Sequence, residues 1–140
     1  ISKINISNKK FFLIDESYNA NPLSVKSAIQ NFSNIKKGEK RKYFLFGDML
    51  ELGKNSHIYH KKISKFINKS DIDKTYVYGS NASETYKSLN KKKQGEIIKD
   101  LKLFKNKIFN VLRDGDYLMI KGSNATRLHE VTKKFIGGSN

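Results

Sequence analysis

Cysteine and tryptophan are absent from this 140-residue chain, and proline occurs once, at Pro22. Without cysteine there can be no disulfide, no Cys-ligated zinc and no thiol nucleophile. Apolar runs stop at four or five residues, as in Phe11 to Ile14 and Tyr43 to Phe46, where a membrane-spanning helix needs about 20. No membrane partner is expected. Position 1 is Ile with no basic-then-apolar leader after it, so no secretory signal is read and the chain is expected to be cut from something longer. Arginine is also scarce: of 28 basic residues only Arg41, Arg113 and Arg127 are Arg.

That scarcity bears on the net charge of +15. Such an excess suggests nucleic acid, whose phosphates favour cations through counterion release. Arg is the better bidentate reader of phosphate and guanine, however, and the lysines are dispersed, with local runs only at 36 to 42 and 91 to 93. A solvated basic surface is the preferred reading, and a polyanion-binding module is kept as the alternative. Length and composition fit one globular domain, large enough to hold a core without metal or disulfide staples.

Short β-branched and aromatic runs alternate with amphipathic stretches, which predicts an α/β fold with a mostly parallel, Rossmann-like sheet and helices on both faces. Phe11 to Asp15, Lys42 to Phe46 and Thr75 to Tyr78 read as buried parallel strands. They end at Asp15, Gly47 and Gly79, 32 residues apart each time, close to the length of a repeated βαβ unit. Tyr117 to Ile120 is a further strand, Glu96 to Ile98 a weaker one, and Ile4 to Ile6 a small one turning through Asn8-Lys9-Lys10. Helical stripes run through Val25, Ala28, Ile29 and Phe32 after an Asn21-Pro22 start, through Tyr59, Ile63, Phe66 and Ile67, through Leu101, Phe104, Ile108, Val111 and Leu112 after Asp100, and through Leu128, Val131 and Phe135. A shorter helix is placed at 82 to 89. Residues 1–136 are taken as the domain and 137–140 as a frayed tail.

In an open parallel sheet the ligand crevice lies beyond the carboxyl ends of the strands. The segments there are polar: Asp15 to Pro22, Gly47 to Gly53 and Lys121 to Arg127. Each is expected to open a helix, whose free N–H groups favour an anion, and Lys121 with Arg127 would suit a carboxylate or phosphate. The residues alone point to a small anion-containing ligand at this rim. No G-x-x-x-x-G-K-[ST] phosphate loop is present. His57 and His60 could face one way, but no third ligand is evident, so no metal site is read; His129 reads as surface.

The same segments resemble a known family. Asp15-Glu16-Ser17-Tyr18-Asn19-Ala20-Asn21-Pro22, followed by Ser24 and Ala28, is similar to the D-[DE]-[ST]-Y-N-A-N-P-x-S signature of the Mur ligases that add D-alanyl-D-alanine to the peptidoglycan precursor. Gly47-Asp48-Met49-Leu50-Glu51-Leu52-Gly53 resembles that group's G-D-M-x-E-L-G loop, with His60 where the family has a His. Asp114-Gly115-Asp116, Lys121-Gly122-Ser123 and Glu130 resemble its closing G-D-x-x-L-x-K-G-S…E segment. The resemblance covers most of the chain and is to the C-terminal domain.

It implies cytoplasmic, ATP-dependent amide synthesis. The terminal carboxylate of UDP-N-acetylmuramoyl-tripeptide is phosphorylated, and the D-alanyl-D-alanine amine displaces phosphate. In the family ATP and Mg²⁺ are bound mainly by two preceding domains, so this chain would hold no catalytic residue, act as one jaw of a hinged, monomeric enzyme and not turn over alone. Carried over by motif, Glu16 would meet the ATP ribose, with Asp15 as a possible sharer, while Tyr18, Asn19 and Asn21 line the nucleotide side. Asp48, Lys121, Ser123, Asn124 and Arg127 would face the dipeptide. Plainer roles stay open: capping or surface pairing for Asp15 and Glu16, packing for Tyr18, turn and N-cap for Asn19 and Asn21, a solvated loop for Asp48 and Glu51, surface charge for Lys121 and Arg127. Another Mur ligase, adding a different amino acid, is a further alternative.

Overall fold

The computed structural model describes residues 1–139. Six strands, β1 (Ser2–Ile6), β2 (Lys9–Glu16), β3 (Lys42–Gly47), β4 (Lys74–Tyr78), β5 (Gln94–Ile98) and β6 (Tyr117–Lys121), form one sheet in the order β1-β2-β6-β3-β4-β5. All neighbours pair in parallel except β1, an antiparallel edge on β2. The helices are α1 (Pro22–Asn34), α2 (Ser56–Lys69), α3 (Ala82–Lys87), α4 (Leu101–Val111) and α5 (His129–Gly138). None of the described helices is long and apolar enough to cross a membrane.

Strand periodicity divides the core into two layers. Phe44, Phe46, Val77 and Met119 point to one face, where Val25, Ile29 and Phe32 of α1, Ile63 and Ile67 of α2 and Ala82 of α3 cover them. Leu13, Leu45, Leu118 and Ile120 point to the other, against Phe104 and Ile108 of α4 and Val131 and Phe135 of α5. β3, central and covered on both sides, is buried at every residue, which is why it reads as an unbroken apolar run.

Local chemistry sets the element ends. Asn21 Oδ1 accepts from Ser24 N at 2.9 Å while Ser24 Oγ accepts from Asn21 N at 3.0 Å, a reciprocal cap followed by Pro22 at the first helical position. Asp100 caps α4 through Lys102 N and Leu103 N at 2.9 and 3.2 Å. Asp116 then accepts from Arg41 N at 2.9 Å and Arg113 N at 2.8 Å, fastening the turn after α4 to the start of β3.

Several boundaries differ from the sequence reading. The hairpin turns at Ser7 and Asn8, both in the left-handed region with φ of 51° and 66°, rather than at Asn8 to Lys10. Two consecutive positive φ values match the right-handed twist of a hairpin, and pairing resumes at once with Ile6 opposite Lys9. α3 ends at Lys87, two residues early. α5 continues through Gly138, inside the expected tail, and Ser139 Oγ accepts from Asn5 N at 2.8 Å; Asn140 lies outside the described residues.

Lysine burial is the least anticipated feature. Lys42, Lys93 and Lys121 are all buried. Lys42 Nζ donates to both carboxylate oxygens of Asp71 at 2.8 and 2.9 Å and to the Ser33 and Ile35 carbonyls. Lys93 Nζ donates to the Ser70 and Ile72 carbonyls at 2.8 and 2.7 Å; burial, together with the nearby Lys92 charge, pulls its pKa below the ordinary value. Both are structural ties at the amino ends of the parallel strands, where such close acceptors compensate desolvation.

Candidate functional site

β6 lies between β2 and β3, and each of these three strands ends in one of the polar segments. From β3 the chain passes to α2 on one face; from β6 it passes to α5 on the other. The gap between their carboxyl ends is therefore the topological switch point of the sheet, the place where doubly wound folds bind ligands. In register, Lys121 is opposite Glu16 of β2 and Phe46 of β3.

The gap is narrow and roofed. A Cβ at Gly47 would sit 2.6 Å from Leu128 Cδ1, and one at Gly122 2.7 Å from the same atom. Leu128 is fully buried, so the two glycines form a cradle that only their missing side chains make possible. Thr126 anchors the roof by donating from N and Oγ1 to the Ser123 carbonyl at 2.9 and 2.6 Å. Arg127 adopts a left-handed φ of 66°, which turns the backbone so that Leu128 points inward. The Lys121 segment thus leads into a single 3-10 turn, Asn124–Thr126, before α5 begins at His129. The segment opens the last helix as expected, one residue after Leu128.

Of the two adjacent acids that end β2, Asp15 is committed. Its Oδ1 accepts from Ser17 N at 3.0 Å, from Ser17 Oγ, and from Thr132 Oγ1 of α5 at 3.4 Å. Glu16 lies on the opposite face and is half exposed, with its Oε2 3.6 Å from Lys121 Nζ. Tyr18 is 67% exposed rather than packed, and the neighbouring Asp15 carboxylate raises its phenol pKa above the ordinary value. Asn19 is exposed. The Asn21 amide oxygen is taken up by the α1 cap.

In the second segment, Asp48 does not project into solvent. Its Oδ1 accepts from Ala82 N at 2.7 Å and its Oδ2 from Asn81 N and Nδ2, both at 3.4 Å, so the carboxylate caps α3 across the strand ends. Gly79, at φ 120°, leaves room for it: a Cβ there would fall 2.2 Å from Asp48 Oδ1. His60 holds the same loop from inside. Fully buried, it accepts from Met49 N through Nε2 at 2.9 Å, and its Nδ1 faces the Ser56 carbonyl at 2.7 Å. A carbonyl can only accept, so Nδ1 carries the proton and the ring is neutral. His57 is exposed, so the two histidines do not share a face. His129 is only partly exposed, with a buried Nδ1, a correction to its reading as surface: α5 starts at that residue, and the preceding Leu128 roof turns it inward.

In the third segment Lys121 is 3% exposed and Ser123 also buried, whereas Asn124 and Arg127 face solvent. The Arg127 guanidinium pairs with Glu130 at 3.0 Å. The structure thus brings Glu16, Lys121 and Ser123 to one rim with Tyr18 and Asn19 beside them, and gives Asn21, Asp48 and Arg127 partners of their own. No grouping of three or more His, Asp or Glu side chains able to hold a metal occurs among the described residues.

A doubly wound α/β domain with a polar rim at its switch point defines the class. Residues 5–124 match the model of the family described as Mur ligase, glutamate ligase domain, and the chain belongs to that family. It is 36% identical over 131 residues to the UDP-N-acetylmuramoyl-tripeptide--D-alanyl-D-alanine ligase of Buchnera aphidicola subsp. Acyrthosiphon pisum, covering 89% of this chain and 26% of that protein. With the same-named ligase of Bacillus subtilis it shares 30% identity over 128 residues, 89% of this chain and 28% of that one. The chain therefore spans about a quarter of the length of these relatives. Its fold superimposes with a TM-score of 0.77 on the MurF ligase of Thermotoga maritima, solved in complex with ADP, at 24% identity over 96% of this chain and 30% of that one.

Proposed function

We propose that this chain is the carboxyl-terminal jaw of an ATP-dependent ligase that joins D-alanyl-D-alanine to UDP-N-acetylmuramoyl-tripeptide in the cytoplasm. The relatives' shared name and the three ordered rim motifs support the substrate assignment. The observation that carries it is the meeting of a half-exposed carboxylate, Glu16, and a largely buried lysine, Lys121, at adjacent strand ends beside exposed Tyr18 and Asn19. Glu16 can accept from ribose hydroxyls and Tyr18 offers an aromatic face to an adenosine, while Lys121 and Ser123 suit a carboxylate.

A free carboxylate is a poor acylating group at neutral pH. Phosphorylation by ATP converts it to an acyl phosphate, which the dipeptide amine attacks with expulsion of phosphate. This chain contributes orientation and charge to the closed cleft. On this reading the phosphate-binding loop and the Mg²⁺ ligands are supplied by other domains of the enzyme.

The test is phosphate release by the intact protein that contains this chain. Release is expected only when ATP, the UDP-linked tripeptide and D-alanyl-D-alanine are all present. Release that ignores the dipeptide, or that responds to a different amino acid, overturns the substrate assignment.

A further inference from the structure

The three buried lysines differ in one respect. Lys42 and Lys93 each have acceptors at 2.9 Å or closer. Lys121, equally buried, has as its ionic partner among the described residues only Glu16, and at 3.6 Å, beyond hydrogen-bond length. An ammonium carries three donors, and that of Lys121 is left to solvent and to this long ion pair, since it is not among the fully buried unpaired side-chain atoms. The lysine without a close protein acceptor is the one at the ligand rim. Its partner is the side chain most able to leave, half exposed at the end of β2.

We propose that Glu16 is an internal stand-in for a substrate carboxylate, and that its displacement couples two subsites of the cleft. This coupling rests on the function proposed above. With the rim empty, Glu16 lies against Lys121 and competes with any other carboxylate for it. A nucleotide whose ribose hydroxyls donate to Glu16 draws that carboxylate off the ammonium. Lys121 is then free to take the carboxylate of D-alanyl-D-alanine, whose geometry can bring its oxygens to hydrogen-bond length. Both side chains share the α1 face of the sheet: Lys121 alternates with Met119, and Glu16 with Ile14, both packed in that layer. By linkage the effect is reciprocal, so the dipeptide also tightens nucleotide binding.

Calorimetry on the intact protein tests this, with D-alanyl-D-alanine titrated in the absence and presence of a non-hydrolysable ATP analogue. Without nucleotide, Glu16→Gln is expected to bind the dipeptide about 5- to 10-fold more tightly than wild type, and to lose a matching part of the tightening that the analogue causes. D-alanyl-D-alaninamide, which lacks the carboxylate, is expected to show no such gain, and Glu16→Asp to resemble wild type. Unchanged or weaker nucleotide-free dipeptide binding in Glu16→Gln, with both ligands still bound by wild type, overturns the coupling and leaves the proposed function standing. Wild type that binds neither ligand overturns both. A gain that appears equally with the amide assigns the effect to something other than carboxylate exchange and also overturns it.

Discussion

The imidazole of His60 accepts the amide proton of Met49 at 2.9 Å, and that one bond fixes the loop between β3 and α2. Both residues are fully buried, so water cannot replace the acceptor if it is removed. His60→Asn, too short to reach, is expected to cost about 1–3 kcal/mol, the penalty of a buried unpaired donor. His60→Gln, whose terminal oxygen falls near the Nε2 position, should recover much of that. The check is denaturant unfolding combined with hydrogen exchange: the Met49 amide should exchange faster in His60→Asn while the β3 amides stay protected. Equal stability of the two variants would show that the bond does not hold the loop.

Asp48 offers a way to separate a structural from a ligand-binding role. Its short bond to Ala82 N starts α3, a helix of only six residues with little propensity-driven stability of its own. Asp48→Ala is expected to lower stability by about 1 kcal/mol, as for other lost N-caps, and Asp48→Asn by less, because an acceptor oxygen remains. A melting-temperature decrease with unchanged dipeptide KM assigns Asp48 to the scaffold. The reverse pattern returns it to the dipeptide site.

These two residues also show where sequence reading stops. The strand ends, the Asn21 and Asp100 caps and both helical layers follow from periodicity and capping chemistry, because those signals are local. Glu16 and Lys121 were legible as rim residues because each follows the apolar run of its strand, and the structure extends β2 and β6 by one residue to include them. Tertiary partners were not legible. Nothing near Asp48 in sequence announces that α3, beginning 34 positions later, supplies its hydrogen bond. Lys42 was legible only as the first residue of a strand; its burial against Asp71 and two carbonyls was not. His60 left one usable hint, its position four residues after Ser56, where an i to i+4 side-chain contact with the helix backbone is possible.

The glycine cradle predicts a non-additive pair. Gly122→Ala forces a Cβ to within 2.7 Å of Leu128 Cδ1 and 3.0 Å of Thr126 Oγ1, and should cost about 1–3 kcal/mol by overpacking. Leu128→Ala alone removes a fully buried side chain and should cost about 2–5 kcal/mol. In the double variant the added methyl enters the space that the leucine vacates. Its loss is expected to fall short of the summed single losses by about 0.5–3 kcal/mol. Additive losses in a denaturant-unfolding cycle would mean that Leu128 does not seal the switch point.

Acid stability depends on a carboxylate at the far end of the sheet. Burial pushes the Asp73 carboxyl up, but hydrogen bonds from Lys37 Nζ at 2.7 Å and Lys42 N at 2.8 Å, with the Lys37 and Arg41 charges, outweigh it and hold the group below its ordinary 3.8. A carboxyl whose pKa is lower folded than unfolded stabilises the folded state fully above the unfolded value, and that stability is lost as pH falls through the folded one. Between those two values the unfolded chain binds the extra proton, so acid favours unfolding. Asp73→Asn, which keeps an acceptor for Lys42 N but cannot ionise, should be less stable than wild type at neutral pH and should show a shallower decline below pH 3.8. Urea midpoints measured from pH 7 downward decide the matter: parallel wild-type and variant curves below that pH would remove Asp73 from the acid response.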